Sequence, residues 1–323
     1  MRVDRFAGWV PIRIFWERDA AFVDWGYIGD KRFTEPFFSD TIERCLGNPA
    51  NLLFRHQTPV ETLAEWREAS PGPPPKGFIF HMSRCGSTLV AQMLAALPRT
   101  VVISEAGPID SVLRANFRDP ALTDDRRAQW LQWMVSALGQ PRKGDENGLF
   151  IKFDCWDTME LGLIDQAFPD VPWIFLYRNP IEVMVSQAKR KSAHLVPGVI
   201  EPGLFGLELD AAITYEPEEY CAIILARICE AALSHHKAGR SMFIDYNRLP
   251  KAVWTTVLDF FRVNCTKDDL ERLIQAAQFY SKSPSFHFQD DSAAKNRQAS
   301  RQLIQVTDRW LALVYEKLQA ACR

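Results

Sequence analysis

From residue 76 onward, short apolar runs alternate with helix-patterned runs, an order that few architectures other than a parallel α/β sheet accommodate. Five runs read as buried strands: residues 77–82 (GFIFHM), 100–105 (TVVISE), 149–154 (LFIKFD), 173–178 (WIFLYR) and 241–246 (SMFIDY). Between them, apolar residues recur three and four positions apart, as with Leu89, Val90, Met93, Leu94 and Leu97 ahead of Pro98, which is the period of a helix with one buried face. The expectation is a three-layer α/β fold with a central, mainly parallel sheet and flanking helices.

The segment Ser70-Pro71-Gly72-Pro73-Pro74-Pro75 is a stiff, non-helical connector. It separates residues 1–75, an aromatic-rich extension expected to pack on the core, from residues 76–323, the α/β domain. In the extension, RIFWE and AFVDWGYI suggest a hairpin, and TPVETLAEWREA suggests a helix. Two stretches resist assignment: residues 193–217, rich in Pro and Gly, and residues 281–299, polar and irregular. Segments of that length are binding loops or plain surface excursions.

Composition excludes several classes of function. Lys and Arg total 38 against 40 Asp and Glu, a formal net charge of -2, which is not the global basic field of a nucleic-acid binder but leaves room for a local basic pocket. No run of 18 apolar residues suggests a membrane span. Charges throughout MRVDRFAGWVPIRIFWERD argue against a secretory signal. The seven cysteines form no CxxC pair, which fits free thiols in a reducing compartment. His235 and His236 are adjacent, so they point to different sides of a helix and do not share a metal. The expected location is the cytoplasm.

In an open parallel sheet, ligands bind at the carboxyl ends of the strands. Here those ends carry Ser83 and Arg84, then Glu105, Lys152 with Asp154, Arg178 and Asp245, a concentration of charge that suggests an anion site. HMSRCGSTLVAQML reads as strand, tight loop with Gly86, then helix, and such a loop aims backbone N–H groups at a phosphate. It is not a Walker A loop, because His81 and Ser87 stand where that pattern needs Gly and Lys. In YRNPIEVMVSQAKRK, Asn179 is a suitable N-cap, Pro180 suits the first helical turn, and Glu182 completes a capping-box-like pattern. Arg178 then lies at the mouth of that helix, with Ser186 two turns along.

These two stretches resemble the signatures of the sulfotransferases that use 3′-phosphoadenosine 5′-phosphosulfate (PAPS). HMSRCGSTL is similar to their phosphosulfate-binding loop, and YRNPIEVMVS to the motif whose Arg and Ser bind the 3′-phosphate. The chain order of Arg84, Glu105, Lys152, Arg178 and Ser186 is most similar to the tyrosylprotein sulfotransferase branch. FIDYNRLP, around Asp245 and Tyr246, resembles a further strand–turn feature. The resemblance covers roughly residues 76–250 and implies a P-loop-like fold, with Arg84, Cys85, Gly86, Ser87, Thr88, Arg178 and Ser186 binding PAPS. It implies Glu105 as general base towards an acceptor hydroxyl or amine, and Arg84 and Lys152 as stabilisers of the transition state.

Other roles stay open for the same residues. Glu105 could instead pair with Arg84, and Ser87 and Thr88 could cap the helix. His81 reads as a packed residue and His194 as a loop residue within reach of an acceptor. The family's Gly/Lys-rich element has no clear copy, and Lys295 or Arg297 could replace it. No divalent metal is expected, because fixed cations can carry the charge of a transferring sulfuryl group. The acceptor, small molecule or peptide, is not legible, nor is the oligomeric state. The competing readings are a P-loop small-molecule kinase, with Asp154 or Asp245 as a Mg²⁺ carboxylate, and a non-catalytic nucleotide-binding protein of the same fold.

Overall fold

The structure is a computed structural model and describes residues 6–278, 295 and 297–322. The expected hairpin is present as β1 (Trp9–Glu17) and β2 (Ala20–Tyr27), joined antiparallel by β3 (His56–Pro59) into a three-stranded sheet. The helix Thr62–Ala69 follows, and no regular element interrupts residues 70–74.

Beyond the connector, all five expected strands form: β4 (Pro75–His81), β5 (Thr100–Ser104), β6 (Gly148–Lys152), β7 (Trp173–Tyr177) and β8 (Ser241–Asp245). They make one sheet in the order β5-β6-β4-β7-β8, and every pairing in it is parallel. All residues of β5, β6 and β7 are buried, as a sheet covered by helices on both faces requires. Aromatic rings fill much of that core: Phe80 stacks on Phe153 at 4.7 Å, and Trp173 meets Phe80 and Phe243 edge-on.

The connection from β4 leads to one side of the sheet, towards β5, whereas that from β7 leads to the other, towards β8. Right-handed crossovers in opposite directions put their helices on opposite faces and open a crevice between β4 and β7 at the carboxyl edge. The N-terminal region helps fix the first of these helices, Ser87–Ala95. Arg32 Nη2 donates to the carbonyls of Ala95, Leu97 and Thr100, placing a cation at the helix C-terminus, where the exposed carbonyls favour one. Gln92 Nε2 donates to the carbonyl of Glu35, whose buried carboxylate is held by Lys31, Thr41 and Arg44.

Residues 193–217 are less irregular than their sequence suggests. Short helical turns at Ala193–Leu195, Pro202–Phe205 and Leu209–Ala212 anchor the segment through buried Leu195, Ile200, Leu204 and Phe205. Most of the polar stretch 281–299 lies outside the described residues. Among the described residues, no helix is long and apolar enough to cross a membrane.

Candidate active site

The loop after β4 is shaped by unusual backbone. Ser83, Arg84 and Gly86 have φ of 76°, 52° and 85°, a left-handed region that L side chains enter at a cost of roughly 1–2 kcal/mol per residue. Glycine is needed at 86 for a second reason. A Cβ there would lie 2.7 Å from Leu249 Cδ1 and 3.1 Å from the Tyr246 ring. Gly86 is the N-cap of the helix Ser87–Ala95, so Ser87 and Thr88 occupy its first turn and neither acts as a cap. Both are buried. The N–H groups of that first turn therefore point out of the helix towards the crevice, as an anion site requires.

Cys85 and Arg84 of the same loop face in different directions. Cys85 Sγ donates to the carbonyl of Leu176 at 3.1 Å, and burial pushes the thiol up to about 12. Only its backbone is in a position to meet a ligand. Arg84 Nη2 donates at 2.7 Å to the carbonyl of Arg190, just past the helix Pro180–Lys189. That contact ties the loop after β4 to the second signature across the crevice.

Three adjacent strands bring His81, Lys152 and Glu105 together. β6 lies between β5 and β4, with Lys152 in register with Ser104 on one side and Ile79 on the other. Glu105 follows β5 and also has a positive φ, 53°, while its N–H still donates to the Lys152 carbonyl at 2.7 Å. The turn swings its carboxylate back over the sheet edge, where Oε1 pairs with Lys152 Nζ and lies 3.5 Å from His81 Nε2. Lys152 is completely buried, and its ammonium also sits 5.4 Å from the centre of the Phe37 ring. An isolated ammonium there would cost several kcal/mol, which the carboxylate offsets. Burial would raise the Glu105 pKa, but the Lys152 charge and the His81 ring outweigh it and hold the carboxyl well below the usual range. The ion pair open to Glu105 thus forms with Lys152.

The second signature is built more locally. Asn179 caps the helix Pro180–Lys189 as expected, its Oδ1 accepting from Ile181 N at 2.9 Å. Glu182 does not complete a capping box. Its Oε2 instead accepts from Arg178, at 2.6 Å from Nε and 2.5 Å from Nη2, and both residues are buried. The reason is proximity: Arg178 stands just before the N-cap Asn179, Glu182 lies in the first turn of the helix, and a buried guanidinium recruits the nearest carboxylate. The guanidinium also lies over the Tyr246 ring, 3.9 Å from its centre. Ser186 Oγ, one turn past Glu182, donates to the Glu182 carbonyl at 2.8 Å.

His194, expected in a loop within reach of an acceptor, is buried in a short helical turn. It is 2% exposed, packed on Trp156, with Nε2 at 3.3 Å from Cys155 Sγ. Burial lowers its pKa to about 3 and raises that of Cys155 well above the usual thiol range, so the two stay neutral. Asp154 caps the turn Cys155–Glu160, and burial and then Glu105 and Asp110 raise its pKa. Asp245 likewise serves its own turn, accepting from Asn247 N. Lys295 is buried and Arg297 exposed. Among the described residues, no group of three or more His, Cys, Asp or Glu could hold a metal ion. A cavity of about 180 Å³ lies at the opposite edge of the sheet, near Lys76, Arg99 and Arg262, away from all these groups.

Sequence reasoning missed His81 and Phe37 as members of the site. A histidine closing a buried strand was the one available signal for the first; Phe37 carried none, since it comes from a segment with no periodic link to the sheet.

No profile of a known protein family matches the chain, and no curated protein matches it. Solved structures do. A sulfotransferase domain from the curacin biosynthetic pathway is 18% identical, covering 73% of this chain and 90% of that one, with a TM-score of 0.41. A sulfotransferase from Mycobacterium avium is 11% identical, with coverage of 78% and 81% and a TM-score of 0.44. One from Mycobacterium tuberculosis H37Rv is 12% identical, with coverage of 84% and 83% and a TM-score of 0.43. At these scores, function rests on this chain's own residues.

Proposed function

We propose that the chain is a sulfotransferase that moves the sulfuryl group of PAPS to an acceptor hydroxyl or amine. The observation that carries this reading is the meeting of Glu105 and buried Lys152 beside the left-handed loop Ser83–Gly86, across the crevice from Arg178 and Ser186. The left-handed backbone at Ser83, Arg84 and Gly86, leading straight into the N-terminus of the helix Ser87–Ala95, suits a phosphate held by backbone N–H groups. PAPS supplies an activated sulfuryl group and a bisphosphate leaving group.

The protein's part is electrostatic and positional. The N–H groups of Gly86 to Thr88 hold the 5′-phosphosulfate, and Arg178 with Ser186 holds the 3′-phosphate. Glu105 accepts the acceptor's proton. While paired with Lys152, its carboxylate is ionised but a weak base. As charge grows on the leaving oxygen, the Lys152 ammonium is drawn there, and the carboxylate gains basicity as the proton is released to it. One residue pair thereby couples the base to the leaving group. Lys152 and Arg84 supply the positive charge at the reacting group, so transfer should survive excess chelator.

The discriminating measurement is calorimetry with adenosine 3′,5′-bisphosphate and with ADP. The 3′-phosphate contact predicts tighter binding of the bisphosphate by at least tenfold, since a charge-assisted hydrogen bond contributes about 1.5–3 kcal/mol. Equal affinities would reject the reading and favour a kinase.

A further inference from the structure

His81 ends β4 with its ring buried beneath the loop. Its Nδ1 lies 3.1 Å from the backbone N–H of Ser83, which donates to it. The left-handed turn at Ser83, φ 76°, is what carries the chain back over the ring. A nitrogen that accepts from a backbone amide carries no proton, so the neutral ring is protonated at Nε2. That atom faces Glu105 Oε1 at 3.5 Å. The loop backbone therefore selects the tautomer that can donate to the carboxylate.

We propose that His81 is a positioning residue for Glu105, its Nε2–H retaining the carboxylate when Lys152 turns towards the sulfuryl donor. The inference rests on the reading of Glu105 as base. Glu105 reaches the sheet edge from a strained backbone through a flexible side chain; Lys152 pairs with its Oε1, and His81 Nε2 stands 3.5 Å from the same oxygen. One of them, Lys152, is drawn away during the reaction. Without the other, the carboxylate would regain its rotamers at the moment it must meet the acceptor proton, which costs ordering entropy. His81 keeps its own orientation throughout, because its other nitrogen is fixed by main chain.

The test uses three variants of the full chain. His81→Gln keeps a donor near the Nε2 position, His81→Asn keeps only an acceptor near Nδ1, and His81→Phe keeps neither. With PAPS and an acceptor, His81→Asn and His81→Phe should lose about tenfold to a hundredfold in kcat, the range for a misplaced reacting group. The KM for PAPS should stay within about twofold, and His81→Gln should restore most of the loss. Equal kcat in His81→Asn and the wild type, or no recovery in His81→Gln, overturns the proposal. A readout independent of turnover is ¹⁵N NMR of the imidazole in the donor-free protein. It should show the proton on Nε2 and an Nε2 signal that moves in Glu105→Gln; a proton on Nδ1, or an unmoved signal, overturns the proposal even where no acceptor is known. Failure to turn over PAPS with a correct tautomer and a moved signal would instead count against the sulfotransferase reading alone.

Discussion

The two cationic halves of the candidate site are neutralised in opposite ways. On one side, Lys152 at the end of β6 is paired with Glu105, 47 residues away and just past β5. On the other, Arg178 is paired with Glu182, four residues away on the helix that it introduces. The long-range pair joins two groups that the proposed reaction separates. The short-range pair joins the residue before a helix N-cap to the first turn of that helix, over a tyrosine ring, and orients a guanidinium for recognition. An ion pair across the sheet edge can act as a switch because its partners are anchored independently; one that spans only a helix N-cap behaves as a fixture. Chemistry should therefore be lost by mutations in the first half and binding by mutations in the second.

The largest expected effect tests that division directly. Glu105→Gln keeps the shape and removes the base, so turnover should fall about 10²–10⁴-fold. Affinity for adenosine 3′,5′-bisphosphate should change little or rise, as a negative charge leaves the site. Paired measurements of turnover and nucleotide binding check both. If turnover persists, the base lies elsewhere and Glu105 serves only as a counter-ion to Lys152.

The same variant exposes the pair in stability. Removing the carboxylate leaves Lys152 buried without its counter-charge, which should cost about 3 kcal/mol at pH 7, the lower end of the range for a broken buried pair. The lower end applies because the Glu105 side chain is 22% exposed. The folded pKa of Glu105 is depressed, so its contribution is complete above the unfolded carboxylate value, near 4.3. As pH falls through that value towards the lower folded one, the unfolded chain takes up the proton first and the contribution is lost. Denaturant titrations should therefore show the gap between wild type and Glu105→Gln constant from pH 7 to about 5 and narrowing below. A gap that widens in acid would mean that Glu105 is not held ionised by Lys152.

The two halves also differed in how far they could be read from the sequence. Asn179, Pro180 and Ser186 carry their structural meaning in their spacing, and the five strands in their composition, because capping and burial periodicity are local. Even there Glu182 was misassigned: its spacing suited both a capping box and an i,i+4 ion pair, and a buried arginine outweighs an N-cap amide as a partner. The meeting of His81, Glu105 and Lys152 depends on strand order, which places β6 between β4 and β5 and which no local pattern encodes. His194 failed for a related reason. Pro and Gly after it suggested an irregular loop, whereas Trp156 and Cys155, distant in sequence, pack against it.

In the second half, Arg178→Ala should weaken adenosine 3′,5′-bisphosphate by about one to two orders of magnitude, the worth of a charge-assisted contact, and leave ADP affinity nearly unchanged. Arg178→Lys should recover only part of the loss, since a lysine keeps the charge but not the planar fork that faces Glu182 and stacks on Tyr246. Calorimetry with both nucleotides separates the outcomes. Equal loss for ADP and the bisphosphate would mean that Arg178 supports the fold of the crevice and not the 3′-phosphate.

The smallest effect is expected one turn further on. Ser186 Oγ donates to the Glu182 carbonyl, a bond that a serine in a helix makes without need, because that carbonyl has a backbone donor four residues on. Turning the hydroxyl towards a phosphate therefore costs little, and losing it exposes no buried group. Ser186→Ala should leave thermal stability unchanged and weaken the bisphosphate by roughly 2- to 10-fold, the worth of a single neutral hydrogen bond at 0.5–1.5 kcal/mol. Its loss should be confined to the 3′-phosphorylated nucleotide, as with Arg178→Ala, and turnover at saturating PAPS should be unaffected. If Ser186→Ala lowers kcat at saturation, the second half takes part in the chemistry, and the separation between a switching pair and a fixed pair does not hold.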